Sequence, residues 1–69
     1  MPRYFFHVRD GEEAFDDETG KVYLTCEAAK ATAAQIAREL AADDATYQGY
    51  HVCVIDEDGN KVARLPVRL

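Results

Sequence analysis

A β-strand is predicted by the stretch RYFFHVR at residues 3–9, in which aromatic and β-branched side chains dominate. The residues that follow, at positions 10–11, are Asp-Gly and predict a turn. Side chains along a strand alternate between its two faces. One face therefore carries Tyr4, Phe6 and Val8. The other carries Phe5, His7 and Arg9, which is a less uniform set.

An alanine-rich helix is predicted from residue 26 to about residue 44, where strong helix formers predominate. Thr25 precedes this stretch and is a suitable N-cap, although position 28 lacks the acid of a full capping box. Apolar residues recur at helical spacing and form one stripe, which consists of Ala29, Ala33, Ile36, Ala37 and Leu40. Because the stripe is mostly alanine, the bulk of the core must come from the sheet.

Three further strands are predicted, at residues 21–24, 50–55 and 61–67. Residues 56–60 have the composition of a hairpin turn. Because Pro66 lacks an amide proton, the last strand is expected either to lie at an edge or to fray at its end. Residues 10–20 hold six of the thirteen acids and are expected to form a loop or a loose hairpin arm with Phe15 as its anchor. The order β-β-α-β-β predicts an α+β fold of two layers, a small antiparallel sheet with one helix on one face. One domain is expected to span residues 1–69. The expected core on the helix side is Tyr4, Phe6, Val8, Tyr50, Val52, Val54, Ala63, Leu65 and Val67.

Composition excludes several classes of protein. The chain of 69 residues is 48% hydrophobic and 30% charged, which is typical of a globular domain. Its net charge of −5 disfavours binding to nucleic acid. No apolar run approaches the ~20 residues of a membrane span, and we expect no secretory signal. Two cysteines are too few for a disulfide scaffold, so we expect a cytoplasmic protein in a reducing compartment.

The sheet face that does not carry the helix, called the outer face below, has an unusual predicted composition. It would hold Phe5, His7, Arg9, His51, Cys53, Ile55, Val62 and Arg64. Apolar patches with a polar fringe often mark interaction sites, and small domains gain stability by associating. We therefore expect either this face or a free strand edge to form a homodimer interface. The candidate interface residues are Phe5, His7, His51, Cys53, Ile55 and Arg64. Scattered surface hydrophobic residues are the plainer alternative.

Other chemistry has weaker support in the sequence. His7, His51 and Cys53 could bind a metal or another ligand if the first and third strands are neighbours, but a structural zinc site needs four ligands. Cys26 lies at the start of the helix, where a thiol pKa can fall. Residues 56–60 resemble the opening of a calcium loop, but Val67 occupies the position of the bidentate acid. We expect no metal, no cofactor and no catalytic residue.

The opening MPRYFFHVRDG at residues 1–11 resembles the start of a family of short bacterial proteins, the domain of unknown function numbered 6894. The similarity continues at residues 17–20, 27–29, 54–59 and 65–66, so it covers nearly the whole chain. It implies a single β-β-α-β-β domain and no particular activity or binding residue.

These patterns together predict a non-enzymatic cytoplasmic protein that acts by protein–protein contact as a homodimer, with an unidentified protein as a further candidate partner. One alternative is a ligand- or metal-binding regulator that uses His7, His51 and Cys53. A second alternative is a small enzyme, which would need a concave pocket with convergent polar groups.

Overall fold

A computed structural model describes residues 2–43 and 47–68, and these residues form one antiparallel sheet of five strands with a helix on one face. This confirms the predicted α+β class. The elements are β1 (Arg3–Arg9), β2 (Ala14–Phe15), β3 (Lys21–Val22), α1 (Cys26–Asp43), β4 (His51–Asp56) and β5 (Lys61–Pro66). No helix in the described part of the chain is long and apolar enough to cross a membrane.

Strand β1 lies between β4 on one side and two very short strands on the other. Its pairing with β4 runs from Tyr4 opposite Asp56 to Arg9 opposite His51. On its other edge, β2 pairs with the end of β1 and β3 pairs with its beginning. The sheet order is β2-β1-β4-β5 with β3 beside β1, so β5 lies at an edge, which is one of the two outcomes that its proline predicted.

The second predicted strand was only partly right. It ends at Val22 rather than at residue 24. Of the two expectations for residues 10–20, a loop or a loose hairpin arm, the short strand β2 paired with β1 matches the hairpin arm. Both strands are two residues long, too short to give a period-two pattern in an acidic stretch. Phe15 does anchor this region, because its ring packs on those of Tyr47 and Tyr50 at centroid distances of 6.3 and 6.2 Å.

The helix begins as the sequence predicted. The hydroxyl oxygen of Thr25 accepts a hydrogen bond from the amide of Ala28 at 3.1 Å, which satisfies one of the free donors of the first turn. The last described helical residue is Asp43, and the predicted end near residue 44 falls outside the described residues.

The core lies between the helix and the sheet. Five of the nine sheet residues predicted for it are buried, and the other four, Phe6, Val8, Ala63 and Leu65, are partly buried and pack against it. Alanines at four successive turns of α1 are buried, and they belong to one cluster with valines of β4 and with Val67, which directly follows β5. The buried core consists of Tyr4, Ala29, Ala33, Ala37, Ala41, Tyr50, Val52, Val54 and Val67. Small helix residues allow a close approach to the sheet, so the sheet supplies most of the buried volume.

Val62 corrects the predicted outer face. The register between β4 and β5 shifts, so that Val54 lies opposite Ala63 but Ile55 lies opposite Lys61. Val62 is the extra residue of this irregularity, and its partly buried side chain packs against the core cluster. Strict alternation fails here because a β-bulge places two residues opposite one.

The alanine stripe yields a stability prediction. Ala33 is fully buried where the helix meets the sheet, so Ala33→Leu should force the two layers apart and lower the free energy of unfolding by about 1–3 kcal/mol. Urea titration followed by circular dichroism measures this. Ala31→Leu, at an exposed position of the same helix, is the matched control and should change stability little. Equal effects of the two substitutions would contradict the close packing of helix and sheet.

Candidate functional site

The candidate interface residues all lie on the outer face and form neighbouring rows across the strands. Phe5 is opposite Ile55. His7 is opposite Cys53, which in turn is opposite Arg64. His51 lies in the next row, between Arg9 on β1 and Pro66 on β5. Alternation along β1, β4 and β5, together with the order in which these strands pair, thus places the six predicted residues on one face.

The outer face has an apolar centre and a charged margin. Cys53 is only 3% exposed although no helix covers it, and Phe5 and Ile55 are partly buried. Arg64 and Lys61 are exposed at the β5 side. Val22, which lies opposite Arg3 and so on the same face, is 37% exposed and extends the apolar area.

A loop at residues 16–20, called the 16–20 loop below, lies against the β1 side of the outer face. The amide of Asp17 donates a hydrogen bond to Nδ1 of His7 at 3.0 Å. The guanidinium of Arg9 donates to Asp16 at 3.0 Å, and that of Arg3 donates to the carbonyl of Thr19, also at 3.0 Å. Side chains of β1 that point outward therefore hold this loop on the outer face.

The carboxylate of Asp17 is the centre of the loop. One oxygen accepts the amides of Thr19 and Gly20 at 3.1 and 2.9 Å. The other accepts the amide of Phe6 at 3.3 Å, in the stretch of the β1 edge between β2 and β3. A side chain thus replaces the neighbouring strand where the ladder is interrupted. Burial of the Asp17 carboxyl acts to raise its pKa, but the hydrogen bonds from Gly20, Phe6 and Thr19 outweigh it and lower the pKa below its ordinary value.

Gly20 allows the loop to close over Phe5. Its φ of +71° lies in the left-handed region, which favours glycine. A Cβ at this position would lie 2.8 Å from the Phe5 ring and 2.9 Å from the carbonyl oxygen of Tyr4. Any other residue would therefore have to displace the loop from the sheet.

The opposite side of the outer face is basic. A guanidinium nitrogen of Arg64 lies 3.4 Å from Nδ1 of His51. Burial, followed by the positive charges of Arg64 and Lys61, lowers the pKa of His51. The imidazole is thus held in its neutral form to lower pH, and the fixed charge on this side comes from Arg64 and Lys61.

The alternatives based on metal or enzyme chemistry find little in this geometry. Among residues 2–43 and 47–68, no three or more His, Cys, Asp and Glu side chains are grouped to hold a metal ion, and the surface has no pocket. His7 faces Cys53, but its Nδ1 already accepts an amide proton, and His51 lies beside Arg64. Cys26 packs against the core. Asp56 accepts the amides of Asp58 and Asn60 within the hairpin turn, which accounts for the calcium-like spacing.

The 16–20 loop is the part of the site that sequence reasoning missed. A usable signal was present, because an Asp followed two residues later by Thr and three residues later by Gly is typical of a turn closed by the Asp side chain. That signal predicts a local turn. It does not predict the contacts with His7 and Phe6, which depend on packing ten and eleven residues away along the chain.

Comparison with known proteins gives one match. The model of a family described as "Domain of unknown function (DUF6894)" matches residues 3–68. No curated protein and no solved structure matches the chain significantly.

Asp17→Asn should release the 16–20 loop. The substitution removes the charge and replaces one acceptor oxygen by a donor, so we expect the free energy of unfolding to fall by about 1–3 kcal/mol. Chemical denaturation at neutral pH measures this loss. Glu12→Gln is the matched control, since it removes the same charge from an exposed residue of the same acidic stretch whose side chain makes no hydrogen bond in the described part of the chain. An Asp17→Asn variant with the same free energy of unfolding as the wild type would contradict the role of this carboxylate.

The lowered pKa of Asp17 also predicts a pH dependence. The folded form binds this proton less tightly than the unfolded form, so the stabilisation is complete well above the ordinary pKa of 3.8. It is lost as the pH falls below 3.8 through the lower pKa of the folded state. Asp10 and Asp56, whose pKa values are lowered by hydrogen bonds from backbone amides, act in the same direction. Thermal melts between neutral and acid pH should show that the melting temperature of Asp17→Asn falls less on acidification than that of the wild type. An equal fall in both proteins would contradict the contribution of the Asp17 carboxylate to stability.

Proposed function

The chain belongs to the family described as a domain of unknown function, DUF6894, and from its outer face we propose that it acts by protein–protein contact as a homodimer. In this proposal the protein is cytoplasmic and non-enzymatic, and a second copy covers the outer face. The observation that carries the proposal is the apolar centre of Phe5, Cys53 and Ile55 on a sheet whose two edges are both protected.

The β5 edge has the features that prevent strands from pairing with other chains. It carries Lys61 and Arg64, it ends in Pro66, and its register with β4 is shifted at Val62. Charged residues, proline and bulges are the usual means of protecting an edge. This edge is therefore a poor template for a second copy.

The opposite edge is protected in another way. Strands β2 and β3 cover the two ends of β1, and each is only two residues long. Between them the Asp17 carboxylate accepts the amide of Phe6, which would otherwise be free to pair. Of the two surfaces that the sequence left open for a dimer, the outer face is thus favoured over a strand edge.

The size of the domain adds a thermodynamic reason for association. A single domain of about 60 residues buries only about 60% of the surface that its unfolded chain exposes. Within residues 2–43 and 47–68 one α-helix covers one face of the sheet. Covering the second face removes more apolar surface from water, at about 25 cal/mol per Å².

The surface of the described residues is more suited to contact than to catalysis. Substrate sites are concave and bring a few polar groups together around a cavity. In the described part of this chain the surface has no pocket, and the polar groups around the centre pair with one another or with the 16–20 loop.

The first test is the solution mass. Light scattering across a dilution series should give about twice the chain mass of 7.7 kDa down to micromolar concentration. A wild-type protein that is monomeric throughout would contradict the proposal.

A substitution at the centre of the face tests where the contact lies. Ile55→Glu should place a carboxylate in the dimer interface and raise the dissociation constant by at least about tenfold, which corresponds to about 1.4 kcal/mol. Ile55 is preferred to Phe5, because the Phe5 ring also contacts Gly20 within one copy. Circular dichroism should show that the variant remains folded. Gln35→Glu, on the exposed side of the helix, adds the same charge and should remain dimeric. Dissociation constants that change equally in both variants would place the contact elsewhere.

A further inference from the structure

We propose that two copies stack outer face to outer face about a two-fold axis parallel to the strands. In this arrangement the 16–20 loop of each copy lies over Lys61 and Arg64 of the other. The inference rests on the proposed homodimer and adds the orientation of the two copies and the charged contacts between them.

The first observation is that opposite charges lie on opposite sides of the outer face. The 16–20 loop, on the β1 side, contributes Asp16, Asp17 and Glu18. Asp16 pairs with Arg9 and Asp17 accepts backbone amides, whereas Glu18 is exposed and forms no hydrogen bond or ion pair within residues 2–43 and 47–68. Glu18 is thus the acid of this side that is available to a partner.

The β5 side contributes the complementary charge. Lys61 lies opposite Ile55 and Arg64 lies opposite Cys53, so both belong to the outer face. Both are exposed, and neither forms an ion pair with a carboxylate in the described part of the chain. The nearest polar partner of Arg64 is the uncharged His51 ring.

The second observation is that the two charged sides lie at the same height along the strands. Glu18 lies between Asp17, which contacts Phe6 and His7, and Gly20, which contacts Phe5. Through the register with β4, the rows of Phe5 and His7 are also the rows of Lys61 and Arg64. Glu18, Lys61 and Arg64 therefore lie at the same position along the strand direction, on opposite sides of the sheet.

Symmetry then selects one orientation. A closed dimer is built on a two-fold axis, so each patch meets the patch to which that axis carries it. Rotation about an axis parallel to the strands leaves each residue at the same position along the strands and exchanges the β1 side with the β5 side. Glu18 of each copy then lies over Lys61 and Arg64 of the other copy. Rotation about an axis that lies in the plane of the sheet and perpendicular to the strands leaves the β1 and β5 sides in place. The acidic side of one copy then lies over the acidic side of the other, and the basic sides meet in the same way. Like charges in contact are unfavourable, so the parallel axis is preferred. Twisted sheets also stack with their strands within about 30° of one another.

The test is a charge exchange between the two sides. Glu18→Lys should make both contacts of this residue repulsive in each half of the dimer, and Arg64→Glu should make one contact repulsive in each half. Each variant should raise the dimer dissociation constant about tenfold. An equimolar mixture of the two variants should form a heterodimer that is tighter than either variant's homodimer, because only the contact between the introduced lysine and Lys61 is then repulsive. Sedimentation velocity with one variant labelled measures this. Arg38→Glu and Glu39→Lys, on the helix, are the matched charge controls and should not affect the dimer.

The outcomes separate this inference from the proposed dimer. A wild-type dimer that neither Glu18→Lys nor Arg64→Glu weakens would overturn the orientation and leave the dimer standing. Weakened single variants that fail to rescue each other in the mixture would also overturn it, since the charges would then act within one copy. Preferred pairing of Glu18→Lys with the wild type would indicate the axis across the strands. A monomeric wild type would remove the dimer itself.

Discussion

The antiparallel pairing of β1 with β4 determines both faces of the sheet. Phe6 lies opposite Val54, and from that register it follows that Val8 meets Val52 beneath the helix. The same register places His7 opposite Cys53 on the other side. A shift of one residue would exchange the faces, so that imidazole and guanidinium groups would point at the alanines of α1. The cost of burying those groups makes the register specific, and the composition of the outer face is a consequence of it.

Residue alternation is why much of this arrangement could be predicted from the sequence. The strands β1 and β4 are long enough for a period of two to be visible, and the helix is long enough for its alanine stripe to be visible. The face on which Val62 lies was predicted wrongly because a bulge interrupts the alternation. The contacts of the 16–20 loop were not predicted. The carboxylate of Asp17 accepts a hydrogen bond from Phe6 and its amide donates one to His7, and such contacts produce no periodic pattern in the sequence. Local patterns thus predicted the strands, the helix and the candidate residues of the outer face. The loop that covers part of this face depends on packing between segments that are distant in the sequence.

Asp17 connects the stability of the fold with the nature of the outer face. Its carboxylate completes the hydrogen bonding of the β1 edge, and the same bonds hold the 16–20 loop over the outward side chains of β1. One group therefore protects an edge from wrong pairing and shapes the neighbouring surface. Because α1 lies on the other side of the sheet, it cannot fix this loop, and hydrogen bonds such as those of Asp17 must do so.

The loop also changes the charge of that surface. At the strand positions of the outer face there are four of the eight basic residues of the chain, Arg3, Arg9, Lys61 and Arg64, and no acidic residue. The three acids of the 16–20 loop counter this charge, but only on the β1 side. With the loop in place the outer face is acidic on one side and basic on the other, which is the distribution that a two-fold partner can match. Without the loop it would be basic throughout, would repel a second copy and would suit an anionic surface instead. In the proposed dimer, the hydrogen bonds of Asp17 thus hold the acids of the loop where the bases of a second copy would meet them.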